Sequence, residues 1–382
     1  MLALVLKRSR LRRDGIASVY RVMPIDRQAT FSGTKDVAGA LAIDAARLEP
    51  LLASRLPDFK GPLRVRQFKG GQSNPTYLLE TPARRFVLRR KPPGKLLPSA
   101  HAVDREFRVI SALYAQGFPV PAPLLFCDEA GIVGTPFYVM SHVDGRVIWE
   151  PHMPDAEAGE RAAVYDAMNA TLARLHALDP AALGLADFGR GENYVGRQVE
   201  RWSKQYRASE IEKIDEMERL MAWLPAHLPP PAPVRLVHGD YRLDNIILSS
   251  HGPDILAVLD WELSTLGDPL ADLAYHLMQW HMPPSETGAG VGTLLGHDLG
   301  RLGIPARADY VDAYVARTGL DPRPHLAVYL AYNFFRLAAI LQGIAGRARD
   351  GTAASETAAN MAPLVRPLAA TAWDFARETG AR

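Results

Sequence analysis

The feature that most constrains this chain is the segment 234–273, in which short apolar runs end in acidic and amide side chains. Residues 234–237 and 246–248 are β-rich runs on either side of a polar loop, and 255–259 is a further run that ends at Asp260. Runs of this length and composition predict short strands. The acidic and amide side chains therefore stand where strands end.

Asp240, Asn245 and Asp260 are side chains of the kind that phosphoryl transfer needs. The reaction needs a carboxylate that accepts the proton of the attacking hydroxyl, and oxygen ligands that hold magnesium on the nucleotide phosphates. Magnesium usually takes one or two protein carboxylates besides phosphates and water, so Asn245 and Asp260 would suffice as its ligands. We interpret the preceding His238 and Gly239 as residues that shape the turn.

The segment contains HGDYRLDN at 238–245, DWE at 260–262, GDP at 267–269 and DL at 272–273. In order and spacing these motifs resemble the aminoglycoside phosphotransferase family of kinase-like enzymes. The resemblance extends over roughly residues 36–375, which is far more than an isolated motif. It implies ATP and Mg²⁺ as cofactors. It also implies that Asp240 is the catalytic base and that Asn245 and Asp260 bind the metal.

The same resemblance implies the fold. We expect a two-lobed α+β protein-kinase-like architecture, with a small β-rich N-lobe at 36–142 that binds the nucleotide. A larger, mainly helical C-lobe at 143–382 would carry the catalytic and acceptor-binding residues. Residues 1–35 stand apart, with basic side chains clustered between Lys7 and Arg13. We expect them to form a mobile tail, to which we assign no function.

Residues 64–90 predict strands joined by a turn that contains glycines. Gly70 and Gly71 would let the backbone approach phosphates closely, and Ser73 and Asn74 offer polar contacts. Two glycines between strands are more often only a hairpin turn. The acidic residues downstream are what favour the nucleotide interpretation here.

Arg89 ends the last of these strands, where kinase-like folds usually place the lysine that holds the nucleotide phosphates. An arginine fork can contact phosphate oxygens in its place, and Lys91 and Lys95 are the alternatives. Glu106 falls on the apolar face of the next predicted helix, where a carboxylate needs a cation. Arg89 is the partner we expect.

The alternative for Glu106 is a surface pair with Arg105 or Arg108. Further along, the β-rich run 135–143 precedes an Asp-Gly turn and predicts the link between the lobes. In the resembled family, backbone groups around Met140 to His142 would bind the adenine edge. The alternative is an ordinary strand.

Two carboxylates are set aside as ligands. Asp187 begins a DFG tripeptide that copies the protein-kinase magnesium motif, but it precedes the polar loop, whereas the metal-binding strand should follow it. Asp268 is followed by Pro269, which predicts a helix N-cap and a structural role, including support of the catalytic loop.

Composition and net charge limit the classes of binding partner that we expect. The chain has 382 residues, of which 48% are hydrophobic, and 44 basic against 42 acidic residues give a net charge of +2. This length can fill more than one core, and this charge gives no global field that would favour nucleic acid or a membrane. The single cysteine excludes an internal disulfide and fits a reducing cytoplasm. No apolar run approaches the roughly 20 residues that span a bilayer.

The acceptor is expected to be a small molecule with a hydroxyl group. The run RRKPPGKLLPSAH at 89–101 resembles the branch related to the kinase-like domain of acyl-CoA dehydrogenase family members 10 and 11. That branch implies a hydroxyacyl-CoA or hydroxy acid acceptor and a functional link to an acyl-CoA dehydrogenase. Residues 190–207 carry basic side chains against few acids, which favours an anionic acceptor, unless they are only a solvated helix face.

Two other functions stay open at this point. One is a catalytically silent kinase-like module that binds a nucleotide or CoA, against which the intact Asp240, Asn245 and Asp260 argue. The other is an aminoglycoside, sugar or amino-alcohol kinase, which an acidic acceptor pocket would favour.

Overall fold

The computed structural model describes residues 26–37, 39–70, 74–94, 101–285, 290–349 and 361–382. Over these residues the chain has the expected two-lobed α+β fold, with an antiparallel sheet in the N-lobe and a mainly helical C-lobe. Gly71, Ser73 and residues 1–25 of the predicted tail lie outside the described residues.

The N-lobe is built on one sheet. Its strands are β1 (Thr34–Lys35), β2 (Arg64–Phe68), β3 (Thr76–Glu80), β4 (Arg85–Arg90), β5 (Pro123–Cys127) and β6 (Phe137–Ser141). The sheet is six-stranded, in the order β1-β2-β3-β4-β6-β5, and every pair is antiparallel. The helices described before and among these strands are α1 (Arg27–Phe31), α2 (Ala45–Arg55), α3 (Val103–Ala115) and α4 (Ala130–Val133).

The two faces of this sheet pack against different partners, because successive side chains of a strand point to opposite sides. On β4, Phe86 and Leu88 belong to the core that includes α2. Val87 and Arg89 face the other way and line the cleft between the lobes. Arg90 returns to the first face, where its guanidinium lies over the ring of Tyr77. The alternation therefore decides that Arg89, and not Arg90, reaches the cleft.

The C-lobe is mainly helical. Its helices are α5 (Ala158–Ala177), α6 (Tyr194–Ser209), α7 (Asp215–Trp223), α8 (Pro269–Leu277), α9 (Leu299–Leu302), α10 (Arg307–Thr318), α11 (Leu326–Arg349) and α12 (Ala362–Glu378). Helix α11 packs against α6, α8 and α12. By length and composition, Arg323–Arg349 could cross a membrane, but 78% of its most apolar window is buried inside the protein. This burial is the property of a core helix.

Two small antiparallel sheets carry the predicted catalytic segment. They are formed by β7 (Arg235–Val237) with β10 (Thr265–Gly267), and by β8 (Ile246–Leu248) with β9 (Ile255–Val258). The backbone N–H of Leu259 donates to the carbonyl oxygen of Asn245 at 2.8 Å. Pairing of β8 with β9 therefore places Asn245 and Asp260 next to each other at one end of this sheet.

The loop after β7 has the tight turn that His238 and Gly239 predict. Gly239 has φ +82°, and a Cβ there would lie 2.9 Å from the carbonyl oxygen of Leu263, so only glycine fits. His238 Nε2 lies 2.9 Å from the carbonyl oxygen of Leu259, and its Nδ1 accepts from the backbone N–H of Asp240 at 3.1 Å. His238 therefore ties the catalytic loop to the end of β9.

Asp268 has the structural role expected of it. One oxygen accepts from the backbone N–H of Leu270 and the other from the hydroxyl of Tyr329, both at 2.8 Å. Pro269 occupies the first turn of α8, and Asp268 is the N-cap. This is the capping arrangement that the Asp-Pro sequence predicts.

Support of the catalytic loop comes from Asp272, one turn further along α8, and not from Asp268. Asp272 is buried, and its two oxygens accept from the backbone N–H groups of His238 at 2.7 Å and Gly239 at 2.8 Å. His176 Nε2 lies 3.2 Å away. Burial would raise the pKa of Asp272, but His176 and the backbone amides outweigh it and hold that pKa below its ordinary value. A buried carboxylate thus fixes the turn that presents Asp240.

Residues 26–35 differ from the mobile tail that we expected. They form α1 and β1, and β1 adds to the edge of the sheet through the pairing of Thr34 with Phe68. Gln28 Nε2 also donates to the carbonyl oxygen of Val147 at 3.0 Å. These contacts join residues far apart in the chain, so the segment is ordered without any apolar period of its own.

We expect Asp272→Asn to destabilise the C-lobe by about 3 kcal/mol, because the side-chain NH2 group of the asparagine would face a backbone N–H inside the protein. Denaturant unfolding followed by far-UV circular dichroism would measure the change. Asp312→Asn is the matched control, since Asp312 is exposed on α10 beside Arg323. Equal midpoints for Asp272→Asn and the wild type would contradict the structural role of Asp272.

Candidate active site

A cavity of about 580 Å³ lies between the lobes, a size suited to a small organic ligand. From the N-lobe and the link between lobes it is lined by Gly70, Val87, Arg89, Met140 and His142, and from the C-lobe by Asp244, Asn245 and Asp260. The structure therefore brings most of the described site residues that we predicted to one cleft.

The end of the cavity near the lobe connection is lined by apolar residues and by charged side chains that are paired, Arg85 with Asp144 and Arg146 with Glu160. Met140 is buried on β6, and β6 ends at Ser141, so the chain leaves the sheet ladder as it passes His142. Burial and the charge of Arg85 lower the pKa of His142, which keeps its imidazole neutral at pH 7. An uncharged aromatic base fits this end better than a phosphate does.

Arg89 occupies the opposite part of the cleft, in a buried cluster of carboxylates. Its Nε lies 2.8 Å from Glu106 Oε2, and one terminal nitrogen lies 2.6 Å from Asp260 Oδ1 and 3.4 Å from Glu262 Oε2. Burial would lower the pKa of Arg89, but the carboxylates outweigh it and raise that pKa well above its ordinary value. The predicted Arg89–Glu106 pair is present.

The alternative pairing of Glu106 with a surface arginine is not what the structure contains. Arg105 donates to the carbonyl oxygen of Phe188, and Arg108 pairs with Asp187. Asp187, the first residue of the DFG tripeptide, is thus an exposed partner of an exposed arginine. Its place outside the cleft agrees with our decision to set it aside.

Asn74 has a different task from the phosphate contact that we predicted. Its side chain is fully buried and donates to Glu106 Oε1 at 2.7 Å and to Glu262 Oε2 at 3.1 Å. Its Oδ1 lies 2.9 Å from His101 Nδ1. An amide that supports two carboxylates is directed into the protein, so Asn74 positions the Arg89 cluster and does not face the cavity.

Asp240 lies just behind Asn245, which lines the cavity. Asn245 Nδ2 donates to Asp240 Oδ2 at 3.0 Å, and Arg242 Nε and the Tyr275 hydroxyl donate to Oδ1 at 2.8 and 2.6 Å. Burial would raise the pKa of Asp240, but the charge of Arg242 and these hydrogen bonds outweigh it. The pKa therefore lies below its ordinary value, and the group is a carboxylate at neutral pH.

Tyr275 and Arg336 complete the surroundings of Asp240, and sequence analysis did not assign them these places. Arg336 is buried, donates to the carbonyl oxygen of Gly239 at 3.0 Å, and lies 5.2 Å from the centre of the Tyr275 ring. Tyr275 follows Asp272 by nearly one helical turn on α8, so both face the catalytic loop. That spacing was the one available signal for Tyr275.

Asn245 and Asp260 fit a magnesium ion by their chemistry and placement. Because Asn245 uses Nδ2 for Asp240, its oxygen is the atom left for a ligand. Asp260 sits at φ +65° just after β9, and its carboxylate already accepts the guanidinium of Arg89. Positive charge is therefore stable at this position. Two oxygen ligands from the protein suffice for magnesium when phosphates supply others.

Gly70 has a packing reason for lacking a side chain. A Cβ on Gly70 would lie 2.9 Å from the indole ring of Trp149 and 3.5 Å from the carbonyl oxygen of Phe31. The backbone at Gly70, just after β2, thus packs against an aromatic residue that follows the lobe connection. Nε1 of Trp149 is buried, and it has no hydrogen-bond partner among the residues that the structure describes.

The basic side chains between 190 and 207 do not form a free positive patch. Lys204 pairs with Glu200 and Arg207 with Glu218, both on exposed surface. Arg197 donates to the carbonyl oxygen of Arg190. These contacts favour the solvated helix face, so any preference for an anionic acceptor must come from elsewhere.

Comparison with known proteins agrees with this geometry. The model of the phosphotransferase enzyme family, the aminoglycoside phosphotransferase type, matches residues 64–327. The chain belongs to this family. A crystal structure of a candidate aminoglycoside phosphotransferase from Ralstonia eutropha is 43% identical, with a TM-score of 0.78, over 88% of this chain and 99% of that one.

The curated relatives of this family member are longer proteins. Acyl-CoA dehydrogenase family member 10 of Mus musculus is 45% identical over 91% of this chain, and this chain spans 33% of it. Acyl-CoA dehydrogenase family member 11 of Rattus norvegicus is 43% identical over 91% of this chain, which spans 45% of that protein. The phosphotransferase chain thus corresponds to less than half of either relative, and the resemblance to this branch is confirmed.

We expect the Arg89 cluster to be strongly coupled in a double-mutant cycle. Arg89→Met alone should destabilise the protein by about 3–5 kcal/mol, because buried carboxylates lose their cation. Adding Glu106→Gln to Arg89→Met should cost much less than Glu106→Gln costs in the wild type.

Thermal and denaturant unfolding of the four proteins would measure this coupling. The Arg108 and Asp187 pair is the control, since exposed pairs contribute little, and we expect no measurable coupling there. Additive effects of Arg89→Met and Glu106→Gln would show that the cluster is not a unit.

Proposed function

We propose that this family member transfers a phosphoryl group from magnesium-bound ATP to a hydroxyl of a small anionic molecule, either a hydroxyacyl-CoA or a hydroxy acid. The observation that carries the proposal is the ionised, partly buried Asp240, which directly contacts the cavity-lining Asn245. A carboxylate held beside a nucleotide-sized cleft can take the proton of an acceptor hydroxyl.

The nucleotide would lie along the cavity, with its base and its phosphates at opposite ends. The end near Met140 and His142, where the charged lining residues are paired, would take the base, and the Arg89 end would take the phosphates. An arginine fork contacts phosphate oxygens in a bidentate manner, which suits it to this role. Magnesium, held by Asn245 and Asp260, would neutralise charge on the β- and γ-phosphates.

The low pKa of Asp240 fits a base that orients its substrate. In phosphoryl transfer the transition state is loose, and positioning of the hydroxyl accounts for more of the catalysis than early proton removal does. Arg242 and Tyr275 fix the carboxylate from one side. Asp240 would accept the hydroxyl proton of the acceptor and hold that oxygen in line with the transferred phosphoryl group.

One buried cation near Asp240, Arg336, favours an acidic acceptor. Arg242 is already paired with Asp240 and Asp244. Arg336 also lies close to the base, and its Nε has no hydrogen-bond partner among the residues that the structure describes. A carboxylate or phosphate group could pair with Arg336, whereas the positive charges of an aminoglycoside could not. The names of the curated relatives favour a hydroxyacyl-CoA within this class, and suggest a functional link to acyl-CoA dehydrogenation.

The experiment is magnesium-dependent ADP release from ATP, measured with hydroxyacyl-CoAs, free hydroxy acids, sugars and aminoglycosides as acceptors. We expect turnover only with the acidic acceptors. Asp240→Asn should lower kcat by roughly 100-fold or more, since it removes the base, while the affinity for nucleotide changes little. Chelation of magnesium should abolish turnover.

Asp187→Asn is the matched control, because it neutralises an exposed carboxylate outside the cleft and should leave turnover intact. Turnover with aminoglycosides but not with acidic acceptors would contradict the proposed acceptor class. Tight nucleotide binding without turnover on any acceptor would instead identify a silent binding module.

A further inference from the structure

Residues 26–35, which we name the N-terminal clasp, lie outside the matched phosphotransferase region and reach both lobes. On the N-lobe, β1 pairs with β2, and Arg66 Nε donates to Thr34 Oγ1 at 2.8 Å. On the chain that follows β6, Gln28 donates to the carbonyl oxygen of Val147 at 3.0 Å. The Gln28 side-chain oxygen also accepts from the backbone N–H of Trp149 at 3.2 Å. The clasp therefore spans the mouth of the cleft.

The clasp forms part of the cavity wall. Gln28, Phe31, Ser32 and Gly33 all line the cavity that we assign to the nucleotide. The ring of Phe31 lies 5.0 Å from the ring of Trp149, and that indole in turn contacts the turn at Gly70. Phe31 thus supports, through Trp149, the backbone at Gly70, which lines the cavity.

Arg27 extends from the clasp to the catalytic loop. Its side chain is buried, with one terminal nitrogen 3.6 Å from Asp244 Oδ2 and its Nε 3.7 Å from Glu150 Oε1. Asp244 Oδ2 also accepts from Arg242 at 2.8 Å, and Arg242 holds Asp240. Alternating charges therefore connect Arg27 with the base.

The geometry makes Arg242 a shared cation. Its Nε donates to Asp240 and one of its terminal nitrogens donates to Asp244. Arg27 is the second positive charge beside Asp244. If Arg27 were absent, Asp244 would be a buried carboxylate with one fewer cation, and it would draw Arg242 away from Asp240. The orientation of the base thus depends on a residue more than 200 positions earlier in the chain.

We propose that the N-terminal clasp is a working part of the active site, in which Phe31 completes the nucleotide pocket and Arg27 is a positioning residue for Asp240. The inference rests on the proposed phosphotransferase function. It extends the proposed active site to residues 26–35, which lie outside the matched family region.

The test uses Phe31→Ala, Arg27→Ala and Arg27→Lys in the full chain, with Arg47→Ala on the exposed side of α2 as the control. Calorimetric titration with ADP and magnesium gives the nucleotide Kd. ADP release from ATP, with a hydroxyacyl-CoA or with water alone as acceptor, gives kcat. Thermal unfolding checks that each variant is folded at the assay temperature.

The two positions should affect different constants. Phe31→Ala should weaken ADP binding about tenfold and leave kcat within about twofold, because it removes an apolar wall without touching the base. Arg27→Ala should lower kcat about tenfold and leave Kd within about threefold, because it misplaces the base. Arg27→Lys should give an intermediate kcat, and Arg47→Ala should match the wild type.

Three other outcomes would overturn the inference in whole or in part. If the wild type binds ADP and both Phe31→Ala and Arg27→Ala keep its Kd and kcat, the clasp has only a structural role and the inference is overturned alone. If Arg27→Ala does not fold, an unchanged kcat in Arg27→Lys overturns the role of Arg27. If the wild type itself binds no nucleotide, the proposed function fails, and the inference with it.

Discussion

The site depends on one buried guanidinium that three carboxylates share. Arg89 extends from β4 of the N-lobe, where the alternation of the strand directs it into the cleft, and it meets Glu106 on α3. From the other lobe it meets Asp260 and Glu262, which follow β9. The same contacts that neutralise these carboxylates also join the lobes across the cleft. Binding of a nucleotide therefore has to change the contacts within this cluster.

The cluster also explains how Arg89 could replace the lysine that usually holds the nucleotide phosphates in kinase-like folds. Asp260 is engaged by Arg89 in this structure and is also the carboxylate that suits magnesium. A phosphate that takes over a terminal nitrogen of Arg89 would free Asp260 for a metal ion. Glu106, to which Asn74 donates a hydrogen bond, meanwhile holds Nε of the guanidinium in place. The arginine can therefore change partners without leaving its position.

Much of this site follows from local sequence. Asp240, Asn245 and Asp260 could be predicted because short strands and one tight turn bring them together within the single segment 240–260. Arg89 and Glu106 could be paired from strand alternation and helix periodicity. Asn74, by contrast, occupies a turn position that suggested phosphate, and only the tertiary contacts with Glu106 and Glu262 direct it inward.

The parts that sequence analysis missed are long-range. Residues 26–35 have no apolar period, and their order comes from a sheet edge, from two hydrogen bonds between the Gln28 side chain and the backbone of 147–149, and from the buried Arg27. Tyr275 and Arg336 reach the base from α8 and α11. The spacing of Tyr275 from Asp272 was its one signal, and no spacing indicates Arg336. Asp272 supports the loop from one helical turn beyond Asp268, to which we had assigned that task.

The most direct test of this account is a crystal structure with magnesium and a non-hydrolysable ATP analogue. We predict that a terminal nitrogen of Arg89 contacts a phosphate oxygen while Glu106 stays paired with Nε, and that the metal contacts the side-chain oxygen of Asn245 and the carboxylate of Asp260. A nucleotide bound with Arg89 still on Asp260, and with the metal held by other residues, would contradict the account.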